Sequence, residues 1–395
     1  SCRMEYPADA FLPGPRITIP GKPGGPLAGV TFAAKDLFDI AGHVTGGGNP
    51  DWAASPPVPI SHAWAVERLL DAGASLVGKT VTCEISLGIL GFNPHDGTPP
   101  NPAAPGCLPG GSSSGSASAV AGGLCDIALG TDSGGSVRVP ASLCGLYGMR
   151  PTLGAVSVEG VLRQAETFDT AGWFARDAAT FARAASALLN EALPAPTAAG
   201  VLVAEDAFAI ADPEVREALA PAMARIAAMF GGATTIRLAD PGELEVWGNQ
   251  RNICQRAEAW ANFRDWIERT NPRFGFSAAR NLAFAATITP EQLAVAKSVR
   301  ARVVERMRAL LEGGAILCIP TTPFTAPPLG LPLSELDRQS ARIGLLCSIA
   351  GMASLPQLSL PLGMAGGKPC GLSIIGWRGS DARLAAIAIA LEEAR

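Results

Sequence analysis

Between Gly110 and Pro140 the chain places seven serines and eight glycines in thirty-one positions, as two Gly/Ser clusters around a short apolar segment. Glycine lets backbone amides approach a reacting group with no Cβ in the way, and serine supplies a hydroxyl that can attack or carry a proton. A linker would have polar flanks, whereas both clusters are bounded closely by apolar residues. The stretch therefore belongs inside the protein, its apolar middle reading as helix and then strand. Its chemistry is that of acyl transfer.

Two familiar motifs in and near this stretch do not hold up. Gly111 to Gly115 matches the GxSxG nucleophile elbow around Ser113, but that arrangement needs its acid and histidine later in the chain. The three histidines, His43, His62 and His95, all come earlier. Gly73 to Thr80 matches the phosphate-binding pattern GxxxxGK[ST], yet Ser75 to Val77 follow a helical pattern and read as strand, where a phosphate loop would follow a strand and open a helix. Nucleotide binding is not expected, and His95, in the Gly/Pro-rich loop 84–102, reads as a solvated loop residue.

A nucleophilic serine would then take its base from an upstream histidine or a distant lysine. Lysines are few: Lys22, Lys35, Lys79, Lys297 and Lys368. Gly29 to Ile40 reads as a short buried strand ending in Lys35-Asp36. A charge there is costly unless it is paired or used, so Lys35 is either a satisfied core ion pair or a working group.

Strand and helix patterns alternate along the rest of the chain. Ser61 to Ala74 is helical with Ser61 as N-cap, Leu143 to Arg150 reads as strand, and Asp177 caps a helix to about Leu189. Strands at 201–204 and 234–238 flank a helix from Pro213. Residues 241–312 are mostly helical, with Trp247, Trp260, Phe263 and Trp266 as core filling. Strands near 315–320, 357–360 and 370–375, a helix around 340–351 and a last helix at 381–394 complete the pattern. No long linker intervenes, so one α/β domain with a central mixed sheet is expected. Within it we distinguish a core at about 29–180, a mostly helical segment at about 205–312 and an α/β return at 313–395.

With 48% hydrophobic and 17% charged residues and a formal net charge of −4, the chain shows no basic run for nucleic acid or membrane. Nine scattered cysteines without CxxC spacing read as reduced core thiols in a cytoplasmic protein. There is no signal-peptide pattern and no apolar run long enough to span a membrane. Neither the histidines nor the cysteines form a metal-ligand set, so no metal or other cofactor is expected.

The two clusters, GGSSSGSASAVAGG and GTDSGGSVRVPASLCGLYGMRPT, resemble the amidase signature family. In that family two triad serines stand 24 positions apart, the first after Gly-Gly and the second closing Asp-x-Gly-Gly-Ser. Here Ser112 follows Gly110-Gly111, Ser136 closes Asp132-Ser-Gly-Gly, and 136 − 112 = 24. The family's lysine ends an upstream G(V/I)xxxxKD strand, which Gly29 to Asp36 matches at Lys35. Segments such as GNPDW, GTPPNP and FDTAGWFARD look most like plant-type indole-acetamide hydrolases.

The resemblance implies a sheet covered by helices on both faces and a Ser-cisSer-Lys triad of Ser136, Ser112 and Lys35, with a cis peptide before Ser112. Ser136 would be the nucleophile, Ser112 the proton relay and neutral Lys35 the base. The backbone amides of Ser133, Gly134 and Gly135 would form an oxyanion hole. Ser113 and Thr131 are expected to support the site through hydrogen bonds, and Asp132 and Arg138 to hold the loop. The expected reaction is hydrolysis of a small amide, with an aromatic or apolar acyl group, to carboxylate and ammonia. A homodimer is compatible with this reading. Two alternatives remain at this level: the amidase subunit of a multi-chain amidotransferase, and a catalytically silent binding scaffold, which the presence of Lys35, Ser112 and Ser136 disfavours.

Overall fold

Strand β1 (Thr31–Lys35) divides its side chains between two cores. Phe32 and Ala34 enter a large apolar cluster, while Ala33 enters a smaller one on the other side. Because side chains alternate along a strand, Lys35 emerges on the side of Ala33. That is where the serine-rich stretch lies.

The computed structural model describes residues 9–395. After β1 come α1 (Pro50–Ala53), α2 (Trp64–Asp71), β2 (Ser75–Thr80), α3 (Ser114–Ala121), β3 (Ile127–Asp132), α4 (Arg138–Cys144), β4 (Tyr147–Arg150), β5 (Thr170–Ala175) and α5 (Ala178–Leu189). Next are β6 (Val201–Ala204), α6 (Glu205–Ile210), α7 (Pro213–Met229), β7 (Thr234–Ile236), α8 (Glu243–Thr270), α9 (Phe276–Ala285) and α10 (Pro290–Leu311). The chain ends with β8 (Ile316–Pro320), α11 (Leu333–Ala353), β9 (Gln357–Ala365), β10 (Lys368–Ile375) and α12 (Asp381–Glu393).

The strands form one ten-stranded sheet in the order β2-β1-β3-β5-β4-β9-β10-β8-β6-β7. It is parallel toward both edges and antiparallel from β3 through β8. Helices cover both faces, as the alternation along β8 makes plain. Ile316 and Cys318 pack with Leu219 of α7 and Ile387 of α12, whereas Leu317 and Ile319 pack with Val303 of α10 and Ile349 of α11. The mixed α/β architecture read from the sequence is the one observed.

Close approach explains the small residues of α3. A Cβ on Gly115 would lie 2.4 Å from the Ala10 carbonyl oxygen and 2.4 Å from the Val81 nitrogen. Ser116 Oγ donates to the Leu129 carbonyl at 2.8 Å and shares a hydrogen bond with Thr80 Oγ1. The helix thus lies almost on the backbone of its neighbours, and its hydroxyls find partners there.

Several expectations need correction. Residues 138–144 form α4, and the strand expected from Leu143 begins only at Tyr147. Val137, Val139 and Pro140 favour strand or turn locally, but Pro140 falls in the first helical turn, where no amide donor is required. Ser61 is not the cap of α2, which starts after Ala63 without a side-chain cap. Helix α11 begins at Leu333, well before 340, and α6 was not anticipated. Trp247, Phe263 and Trp266 are buried in apolar clusters, with Trp260 packed at the edge of one. Cys83, Cys107, Cys125, Cys144, Cys254, Cys318, Cys347 and Cys370 are buried free thiols, and Cys2 lies outside the described residues. Among the described residues no helix is long and apolar enough to cross a membrane.

Candidate active site

Two strands adjacent in the sheet, β1 and β3, and the α3 that packs over them bring their ends together. Lys35, last in β1, is fully buried. Its Nζ lies 2.7 Å from Ser112 Oγ, 3.0 Å from Ser113 Oγ and 2.7 Å from Thr131 Oγ1. All three partners are hydroxyls, and among the described residues no carboxylate comes within ion-pair distance of this amine. Of the two readings of Lys35, the core ion pair is not found among the described residues. The buried pair nearby belongs to Lys79 and Asp36, 2.6 Å apart.

Burial pulls Lys35 down to about 7, against an opposing pull from Cys83, Asp132 and Asp169. The Cys83 thiol is itself pushed up to about 11 by burial, so near neutrality it carries no charge that would hold Lys35 protonated. A neutral amine has two N–H donors and one lone pair, which suits three hydroxyl neighbours: it can donate to two and accept from the third.

The peptide between Gly111 and Ser112 is cis. Ser113 is committed to structure: its Oγ donates to the Thr131 carbonyl and accepts from the Thr131 amide, each at 3.1 Å. That leaves it poorly suited to the elbow motif that its local sequence matches.

Ser136 sits on the loop from β3 to α4, built around the buried Asp132 carboxylate. Asp132 accepts from the amides of Gly135, Val137 and Arg138 at 3.0, 3.1 and 3.2 Å. The Arg138 guanidinium grips it twice, at 2.9 and 2.8 Å. Burial alone would raise Asp132, but Arg138 and then Arg150 hold it well below the ordinary carboxylate range. Arg150 also donates to the Asp132 and Ser133 carbonyls at 3.0 Å each. Ser133 Oγ donates to Asp169 at 2.6 Å. Asp132 and Arg138 thus hold the loop, while the contribution of Arg150 went unread.

One part of the expected oxyanion hole is altered. The Gly135 amide is taken by Asp132, so it is not free to face a substrate. Among the described residues the amides of Ser133, Gly134 and Ser136 have no partner, and of these Gly134 and Ser136 line the adjoining cavity. Gly135 is required for another reason: at φ +133 a Cβ would lie 3.0 Å from Cys347 Sγ.

That cavity, of about 470 Å³, has a size suited to a small ligand. Its walls come from the loop 83–92, from α8 and α9 and from the start of α11. The first half of the Gly/Pro-rich loop 84–102 is thus part of the wall. His95 does not line the cavity; its Nε2 lies 2.9 Å from Glu84 Oε2. Nor do Trp247, Trp260, Phe263 or Trp266 line it. Arg251 of α8 does, with Gln255, and sequence reading missed both. The available signal was a guanidinium at helical spacing on a buried stripe with Leu244, Trp247 and Cys254.

Ser136 Oγ makes no hydrogen bond among the described residues, Ser112 included. The rest of the arrangement can accept a proton through Ser112 at Lys35 and present backbone donors beside the Ser136 hydroxyl at the cavity wall.

Amidase 1 of Arabidopsis thaliana is 37% identical over 384 residues, which cover 90% of each chain. Amidase 1 of Oryza sativa subsp. japonica is 38% identical over 397 residues, covering 93% of this chain and 91% of that one. A solved structure described as a crystal structure of amidase superposes with a TM-score of 0.83 at 31% identity, over 94% of this chain and 85% of the other. A family model for amidases matches residues 14–216, and with these relatives it shows that the chain belongs to the amidase family and is an enzyme that hydrolyses amides.

Proposed function

We propose that the enzyme cleaves the C–N bond of a small amide through an acyl-enzyme on Ser136. The observation that carries this reading is the buried amine of Lys35, set among three hydroxyls with no carboxylate partner among the described residues and drawn down to about 7. A lysine in that state accepts a proton, whereas an ordinary surface ammonium cannot.

Ser136 Oγ attacks the amide carbonyl carbon as its proton passes to Ser112 Oγ and the Ser112 proton passes to Lys35 Nζ. The oxyanion is met by the amides of Gly134 and Ser136; removing one donor of this kind costs about 10²–10³ in rate. As the C–N bond breaks, Ser112 gives a proton to the leaving nitrogen and recovers one from Lys35. Water then attacks the ester carbonyl, its proton following the same path, and Ser136 leaves as a hydroxyl. Catalytic hydrogen bonds often tighten only around substrate, and the one from Ser136 to Ser112 belongs to that kind.

Treatment with a sulfonyl fluoride tests the assignment. One adduct should form and map to Ser136, and Ser136→Ala should neither be labelled nor turn over amides while keeping its circular dichroism and melting profile. Labelling at Ser113 would return the nucleophile to the elbow motif and defeat this mechanism.

A further inference from the structure

The cavity beside Ser136 has an unbalanced charge. Arg251 is only 9% exposed, yet among the described residues it has no carboxylate partner. Its Nε donates to Ser348 Oγ at 3.1 Å and its Nη1 to Gln255 Oε1 at 2.7 Å. A guanidinium carries five N–H donors, so three remain unused on a side chain that lines the cavity. Arg256, on the same helix, lies over the Phe284 ring and likewise has no acidic partner. Arg280, near the rim, is paired with Asp337, which among the described residues is the one carboxylate on the cavity wall. The wall therefore holds three arginines against one aspartate.

Taking a guanidinium out of water without a counter-charge is costly. Burial indeed draws Arg251 down to about 10. Asp132, whose charge bears on Arg251, is already gripped by Arg138 and Arg150. Arg251 is also firmly placed: Gln255 Nε2 donates to Gln164 Oε1 at 2.6 Å, and Gln164 Nε2 donates to the Ser86 carbonyl at 3.0 Å and its hydroxyl at 2.9 Å. Neutral groups hold the fork in position and leave its charge unmet.

We propose that this charge is met by the substrate, and that the cavity takes amides whose acyl chain ends in a carboxylate received by Arg251. The proposal rests on the reading that Ser136 meets its substrate in this cavity. It replaces the aromatic or apolar acyl group expected from sequence. A Cβ on Gly134 would lie 2.6 Å from Arg251 Nη1, and Gly134 is two residues before Ser136. Fork and nucleophile are then on the order of 10 Å apart or less. A charge-assisted hydrogen bond of about 2.8 Å at one end and an attack distance of about 3 Å at the other leave room for a short spacer. The class is the monoamides of dicarboxylic acids with about one to three methylenes, such as malonamate, succinamate and glutaramate. Glutamine, which adds an ammonium beside the arginines, fits worse than glutaramate.

Calorimetry on Ser136→Ala measures binding without chemistry. Succinamate should bind and butyramide, its neutral counterpart, should bind about 30-fold more weakly or less well still. Adding Arg251→Gln should remove most of that difference. In the unsubstituted enzyme, the ratio of kcat/KM for succinamate over butyramide should exceed about 30 and decline only weakly with added salt, because the pair is buried. Arg251→Lys should restore part of a ratio that Arg251→Gln abolishes. Equal binding of the two amides, or a ratio that Arg251→Gln leaves intact, overturns the proposal, and the comparison in the unsubstituted enzyme stands even if the Arg251 variants do not fold. Turnover that persists in Ser136→Ala while succinamate still binds preferentially would remove the nucleophile and leave the carboxylate receptor standing.

Discussion

At Lys35 activity and stability pull in opposite directions. A folded-state value near 7 against an ordinary value near 10.5 means that between those limits the unfolded chain binds a proton that the folded chain does not. Stability owed to this residue is therefore intact above about pH 10.5 and falls as pH drops toward 7. Lys35→Met should gain on the unsubstituted protein by a few kcal/mol between pH 10 and pH 7 in urea titrations, since the hydroxyl contacts it loses do not change with pH over that range. Asp132 carries the same sign in a lower window: its depressed carboxyl contributes stability that is present above about pH 4 and is lost as pH falls further. Asp132→Asn leaves Arg138 and Arg150 buried without a counter-charge and should cost about 3–5 kcal/mol in the same titration at pH 7. A cost near zero would mean that the arginines are met by other groups.

At the scale of elements, the site depends on how closely α3 sits on its neighbours. Gly115→Ala places a methyl group where backbone atoms of Ala10 and Val81 already lie. Overpacking of this kind costs about 1–3 kcal/mol, and here it would also lift Ser112 and Ser113 away from Lys35. The melting temperature and kcat should both fall in Gly115→Ala, while Gly123→Ala, beyond the end of α3 where a Cβ meets nothing, should lower the melting temperature only modestly through its positive φ and spare kcat. Elements of this kind differ in how far the sequence reveals them. Strand β1 and helix α5 declare themselves through an apolar run and an Asp cap whose side chain accepts from Thr180. Helix α4 does not, because Val-Arg-Val-Pro reads as strand until the Asp132 carboxylate gathers the amides of Val137 and Arg138 into a helical turn. Arg251 was hidden similarly: α8 reads as core filling, and only the folded cavity shows that one position of its buried stripe has no counter-charge.

Across the whole molecule, the sheet order turns distant sequence into one site. Lys35 and Ser112 are separated by 77 positions, and parallel pairing of β1 with β3 brings the ends of both strands to the start of α3. The lysine, the two serines and their 24-residue spacing were legible because motif and spacing belong to local sequence. Which loop amides stay free was not legible, since it depends on where Asp132 points, and the charge of the cavity was not, since it sums residues from three helices. The same long-range geometry predicts that the pH–rate profile rises through a value belonging to the coupled Ser-Ser-Lys unit, near 7 if Lys35 dominates it. Alanine at His43, His62 or His95 should cost little in kcat.

The central claim is that Lys35 acts as a neutral base, and the most direct measurement is kcat/KM of Lys35→Arg beside Lys35→Ala with the best monoamide substrate. Guanidinium stays protonated at any working pH and cannot accept a proton from Ser112. The account predicts that both variants lose several orders of magnitude and that raising the pH rescues neither. A Lys35→Arg enzyme with near-normal kcat/KM would show that this position supplies only positive charge, and would contradict the account.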